Sequence, residues 1–121
     1  MKTTLSPQES ANLIAKGISA DKASVNCPVD APYRTSGIYL APIFTLADIL
    51  GLLPKKLNGE ETDYCDCELH IHAGKLVWSA SYMGIRGSEV VVMKFTSYDV
   101  ELIDALFLLL CKLIDNHVKL D

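Results

Sequence analysis

From Cys65 to His72 the chain alternates without a break, and this constrains the fold more than any other stretch. Cys65, Cys67, Leu69 and Ile71 take the odd positions; Asp66, Glu68, His70 and His72 take the even ones. A period of two marks a strand with one face buried and one face wet. After Ala73-Gly74 a second such segment runs from Leu76 to Tyr82. An even-numbered loop, Ala73-Gly74 or His72 to Lys75, sets Ile71 opposite Leu76, Leu69 opposite Trp78, Cys67 opposite Ala80 and Cys65 opposite Tyr82. One face is then apolar in both strands. A slip of one residue would bring Trp78 beside the carboxylates, so the register is expected to be well defined. A third strand, Glu89 to Thr96, extends the sheet. Val91, Met93 and Phe95 continue the apolar face, and Val90, Val92, Lys94 and Thr96 point the other way. The link Gly84-Ile85-Arg86-Gly87-Ser88 reads as a mobile connection. Beside it Met83, Val90 and Val92 cluster with Ile85 on the outer face, an apolar patch that needs cover from the N-terminal part or from a partner.

The flanking segments read as helices. Ser6-Pro7-Gln8-Glu9 offers a Ser cap, Pro at the first helical position and Glu three residues after the cap. That helix runs to a stop at Gly17, and Ser19 to Ser24 can add a turn. Thr45 caps a second helix, with Asp48 at its third position, Phe44 and Ile49 as a hydrophobic staple, and Pro54 as its end. Lys55 and Lys56 then fall in the last turn or just past it. Between the two helices, Val25 to Ile43 is broken by Pro28, Pro32 and Pro42. Nineteen residues are long for a loop, so part of the stretch, Gly37 to Leu40, is expected as an extended edge strand. This arm wraps the outer sheet face or, through Tyr33, Arg34 and Tyr39, contacts something else.

The last helix is expected to begin after Thr96 or Ser97, with Asp99 and Glu101 in its first turn. Leu102, Ile103, Leu106, Phe107, Leu110, Leu113, Ile114 and His117 make one face of roughly 200°, wider than an ordinary core-facing stripe. Leu108 stands alone among Asp104, Lys112 and Asp115 on the opposite face. Such a helix is either central to the monomer or also part of an interface. The sum is an α+β fold: two N-terminal helices, a three- to four-stranded antiparallel sheet, and a long C-terminal helix on its apolar face, all in one domain over residues 1–121.

Composition bounds the function. The net charge is −4 with no basic run, which disfavours nucleic-acid binding, an affinity built on neutralised phosphates. The N-terminus lacks the apolar core of a signal peptide. The longest apolar run, Ala105 to Cys111, is too short to span a bilayer. A cytoplasmic protein is expected, with its four cysteines as reduced thiols.

No catalytic signature is present, and no cofactor is implied. Cys65, Cys67, His70 and His72 suggest metal by type, but on one strand thiols and imidazoles leave from opposite faces and cannot share a tetrahedral ion. The workable metal set is His70 with His72, roughly 6.5 Å apart along the strand, with Glu68 or a neighbouring strand giving a third ligand. The competing reading is a solvated polar face, with Cys65, Cys67 and Cys111 as small hydrophobes. Cys27 is the one thiol in an irregular segment. His117 is expected as a partly buried residue of the helix face. Arg86 between glycines lacks the strand-loop-helix setting of a phosphate loop. Trp78, Tyr82 and Phe95 fall by parity on the core face, which weakens a base-stacking platform.

The order of these signals is similar to a known group. Leu5-Ser6-Pro7-Gln8-Glu9-Ser10, then Leu13 and Ile14, a tyrosine-bearing arm, Phe44 to Leu50 with Leu52-Leu53-Pro54-Lys55, a Trp-bearing hairpin and Ile103-Asp104-Ala105 resemble small uncharacterised proteins encoded by phages and mobile elements of gut bacteria. The resemblance implies an accessory protein of a mobile element and carries no site residue. The leading functional expectation is a non-enzymatic protein-interaction module, a homodimer or the binder of another protein, using Leu108, Met83, Val90 and Val92. The alternative is a small metal-binding protein built on His70 and His72.

Overall fold

The computed structural model describes residues 1–30, 38–59 and 66–120. Cys65, Tyr33, Arg34 and Gly37, each named above, lie outside the described residues. The described chain is α+β, with three α-helices and two antiparallel sheets, one of two strands and one of four. Its contacts divide it into two compact units, Thr3–Asp48 and Met1–Lys2 with Ile49–Asp121.

In the first unit, helix α1 (Pro7–Ala15) starts as its sequence dictates. The Glu9 amide donates to Ser6 Oγ at 3.1 Å, and the Ser6 amide donates to Glu9 Oε1 at 2.9 Å, so two otherwise orphaned donors are satisfied reciprocally. Gly17 ends the helix at φ +109, and the Ile18 amide reaches back to the Leu13 carbonyl, closing a Schellman motif. A single 3-10 turn, Ala20–Lys22, follows under a Ser19 cap. Strands β1 (Val25–Asp30) and β2 (Ile38–Ile43) then pair with each other, Val25 opposite Ile43. The arm expected to supply an edge strand of the main sheet therefore forms its own ribbon. Pro28 and Pro42 are tolerated because every strand of a two-stranded sheet has one side where no N–H is needed. The Phe44 amide donates to the buried Ser10 Oγ at 3.2 Å, and Leu5 donates to the Phe44 carbonyl.

Helix α2 (Leu46–Leu52) begins at the end of this unit. The Asp48 amide donates to Thr45 Oγ1, and Asp48 Oδ2 accepts from the amides of Thr45 and Ser24 and from the Ser24 hydroxyl. Burial raises the Asp48 pKa, but the hydrogen bonds from Thr45 and Ser24 outweigh it, and the carboxyl titrates below its ordinary value. This contribution to stability is present above the ordinary carboxyl range and fades as pH falls through the lowered value.

The second unit holds the main sheet, in the order β3 (Lys56–Leu57), β4 (Cys67–Ala73), β5 (Trp78–Arg86), β6 (Glu89–Asp99). The fourth strand is thus Lys56–Leu57, of which Lys56 is expected from the sequence in the last turn of α2 or just past it. Between β4 and β5 the expected parity is present, but the partners differ by four residues: Leu69 faces Tyr82, Ile71 faces Ala80 and Ala73 faces Trp78. An even slip leaves every side chain on its own face, so alternation alone cannot detect it. The observed register places Tyr82, fully buried, where its hydroxyl donates to the Pro54 carbonyl at 2.7 Å. Leu76 consequently sits in the turn, 85% exposed.

The third strand departs further. Ala80 faces Ser97 but Tyr82 faces Lys94, and Gly84 faces Val92 but Ile85 faces Val90. Each step places one extra residue in β6, and Phe95 in the first of these bulges stands at φ +56. A bulge inverts the parity beyond it. Val92 and Lys94 therefore share the side of Tyr82, and Met93 pairs with Met83 on the other, the reverse of the expected assignment. Gly84, Ile85 and Arg86 belong to β5, leaving a turn of Gly87 and Ser88 in place of the expected five-residue link.

Pairing of Ser97 to Asp99 with β5 also delays the last helix, so α3 spans Leu102–Asp115. Asp99 is still a strand residue, and its Oδ1 accepts from the Glu101 amide at 3.2 Å. Ile103, Ala105, Leu106, Leu109, Leu110 and Leu113 are fully buried, and α3 packs chiefly on β6 and β5. Lys2 Nζ is 2.7 Å from Asp104 Oδ1, and its amide donates to Glu101. His117 lies past the end of α3, exposed and at φ +57. It is not on the buried face as expected; it occupies the same left-handed position that Gly17 holds after α1, with Val118 donating back to Leu113.

Candidate functional site

Directly paired residues of antiparallel strands project to the same side. The pairs Ile85 with Val90 and Met83 with Met93 therefore gather four apolar side chains on one face at the end of the β5–β6 hairpin. Ile85, Val90 and Met93 are 47%, 51% and 49% exposed, and Met83 is half-buried. Of the expected patch, Met83 and Val90 are brought together; Val92 is set on the opposite face by the bulge, and Met93 takes its place. No sequence signal marks the bulge, since Val91, Met93 and Phe95 alternate in phase with an unbroken strand. Leu108 projects from α3 with 40% exposure, on a separate element.

The polar face of β4 carries Glu68, His70 and His72, paired with Met83, Ser81 and Ser79. Glu68 lies 3.7 Å from Lys56 on β3. His72 is exposed, whereas His70 Nε2 is buried and has no hydrogen-bond partner among the described residues. Among the described residues no three His, Cys, Asp or Glu side chains converge as metal ligands. Cys67 is fully buried, and Cys27 and Cys111 are half-buried. Arg86, a strand residue, sits opposite Glu89.

At the other side of the sheet, Leu50, Lys55, Lys56, Glu68, Leu69 and Ile71 line a cleft of about 520 Å³. Comparison with known proteins finds no matching family model, no similar curated protein and no similar solved structure. Among the described residues no helix is long and apolar enough to cross a membrane.

Proposed function

We propose that the chain is a non-enzymatic protein-interaction module that forms a homodimer through the end of its β5–β6 hairpin. The observation that carries this reading is the group Ile85, Val90 and Met93, about half exposed and adjacent by register. Side chains left in water at one place gain about 25 cal/mol for each Å² of apolar surface that a partner covers. The resemblance in helix caps and core positions supports an accessory role on a phage or mobile element.

Analytical ultracentrifugation tests the dimer. The wild-type chain is expected to sediment as a dimer at micromolar concentration, Val90→Asp as a monomer, and Leu108→Asp as a dimer. A wild-type monomer at every concentration sinks the homodimer.

The buried Nε2 of His70, without a hydrogen-bond partner among the described residues, favours a second reading, in which His70 and His72 hold a divalent transition metal. Native mass spectrometry would show one retained ion, lost in His70→Ala. Equal melting temperatures with and without chelator count against it.

A further inference from the structure

Strand β3 covers only the first part of β4, pairing Lys56 with Glu68 and Leu57 with Cys67. The Leu69 amide still donates to the Lys55 carbonyl at 3.0 Å. One residue earlier the chain leaves the sheet: the Leu53 amide, which alternation would turn toward Ile71, donates instead to the Ile49 carbonyl of α2 at 3.1 Å. Main-chain groups of alternate residues point to the same edge. The N–H and C=O groups of Ile71 and Ala73 therefore face outward like those of Leu69, and among the described residues no strand pairs with them. The other edge of the sheet, β6, is longer but is interrupted by two bulges, a feature that blunts strand addition. The open half of β4 is regular.

The cleft lined by Leu50, Lys55, Lys56, Glu68, Leu69 and Ile71 lies along this same open edge, its one carboxylate, Glu68, next to Lys56. We infer that the edge takes the C-terminal segment of a partner protein, bound as an added strand antiparallel to β4. Such a segment continues the line of β3. Its residue opposite Ile71 projects beside Ile71 and Leu69 into the apolar part of the cleft. Its carboxyl end arrives at Lys55, whose exposed ammonium has no carboxylate partner among the described residues, while the neighbouring Lys56 is already next to Glu68. Backbone pairing supplies affinity, the cleft selects an apolar side chain, and Lys55 selects the terminal charge. This surface is separate from the hairpin patch, so the two are tested independently.

The probe is acetyl-Thr-Val-Thr-Val with a free C-terminal carboxylate, titrated into the full chain and followed by amide chemical shifts. Shifts are expected at Leu69, Ile71 and Ala73, with affinity about tenfold weaker for the same peptide ending in an amide. Lys55→Glu is expected to abolish that preference. Lys55 is exposed, so this variant keeps the fold. Binding that survives N-methylation of the peptide backbone overturns the proposal, as do shifts confined to Ile85, Val90 and Met93 or no shifts at millimolar peptide. Protection of Ile71 and Ala73 that grows with protein concentration alone also overturns it, because a second copy then occupies the edge.

Discussion

The two hairpins of the main sheet share strand β5 yet are built differently. The β4–β5 pair is regular from Glu68 to Ala73 and has no bulge. The β5–β6 pair is interrupted twice, and it is the half on which α3 chiefly packs. A regular ribbon keeps its alternation and leaves a flat, usable edge. A bulged ribbon bends its outer strand, exchanges its faces and spoils its edge for pairing. The difference assigns packing to one side of the sheet and open main-chain groups to the other.

The largest expected effect tests that division of labour. Leu110→Ala removes a fully buried side chain of α3 and should cost about 2–5 kcal/mol in urea unfolding. Ile71→Ala, at a site 40% exposed on the open half, should cost under about 1 kcal/mol. Similar losses for the two would show that β4 is as deeply packed as the ground beneath α3, and the asymmetry would be gone.

A smaller effect concerns the residue that belongs to both hairpins. Tyr82→Phe keeps the ring and deletes the hydroxyl that holds the Pro54 carbonyl. With Tyr82 fully buried, the expected loss is about 1–2 kcal/mol. The same variant should leave amide exchange at Ile71 unchanged, since the Leu53 amide stays bound to the Ile49 carbonyl of α2. Slowed exchange at Ile71 would mean that the Tyr82 hydrogen bond is what turns the chain away from the β4 edge.

The contrast also accounts for what was legible in the sequence. Caps are local chemistry, so Ser6 with Glu9 and Thr45 with Asp48 could be read directly. The α+β class and the packed C-terminal helix followed from apolar periodicity. The β4–β5 faces followed from parity, but the partners did not. A four-residue slip conserves parity, and the long-range bond from Tyr82 to Pro54 that accompanies the observed register has no local signature. At β6 even parity failed, because Phe95 at positive φ is a conformation that bulky residues avoid and no motif announces. That failure moved Val92 out of the candidate patch and Met93 into it. The open edge of β4 was illegible for a related reason: it depends on where β3 stops.

The smallest effects separate the two turns, each of which uses glycine for a different reason. In the β5–β6 turn Gly87 stands at φ +61, and a Cβ built there meets nothing within 4 Å. Its requirement is conformational. Gly87→Ala should cost about 1 kcal/mol, and Gly87→Asn less, because Asn tolerates the left-handed region. In the β4–β5 turn a Cβ on Gly74 would lie 2.9 Å from the Val77 carbonyl oxygen, the oxygen that accepts the Gly74 amide. Its requirement is space. Gly74→Ala should also cost about 1 kcal/mol, but Gly74→Asn should cost at least as much, since every L side chain brings the same Cβ. The four melting curves therefore form a crossed test. Rescue by Asn at position 87 and not at 74 supports two turns with distinct constraints. Rescue at both would mean that Gly74 is also held by its backbone angles, and the two hairpins would then differ in their bulges alone.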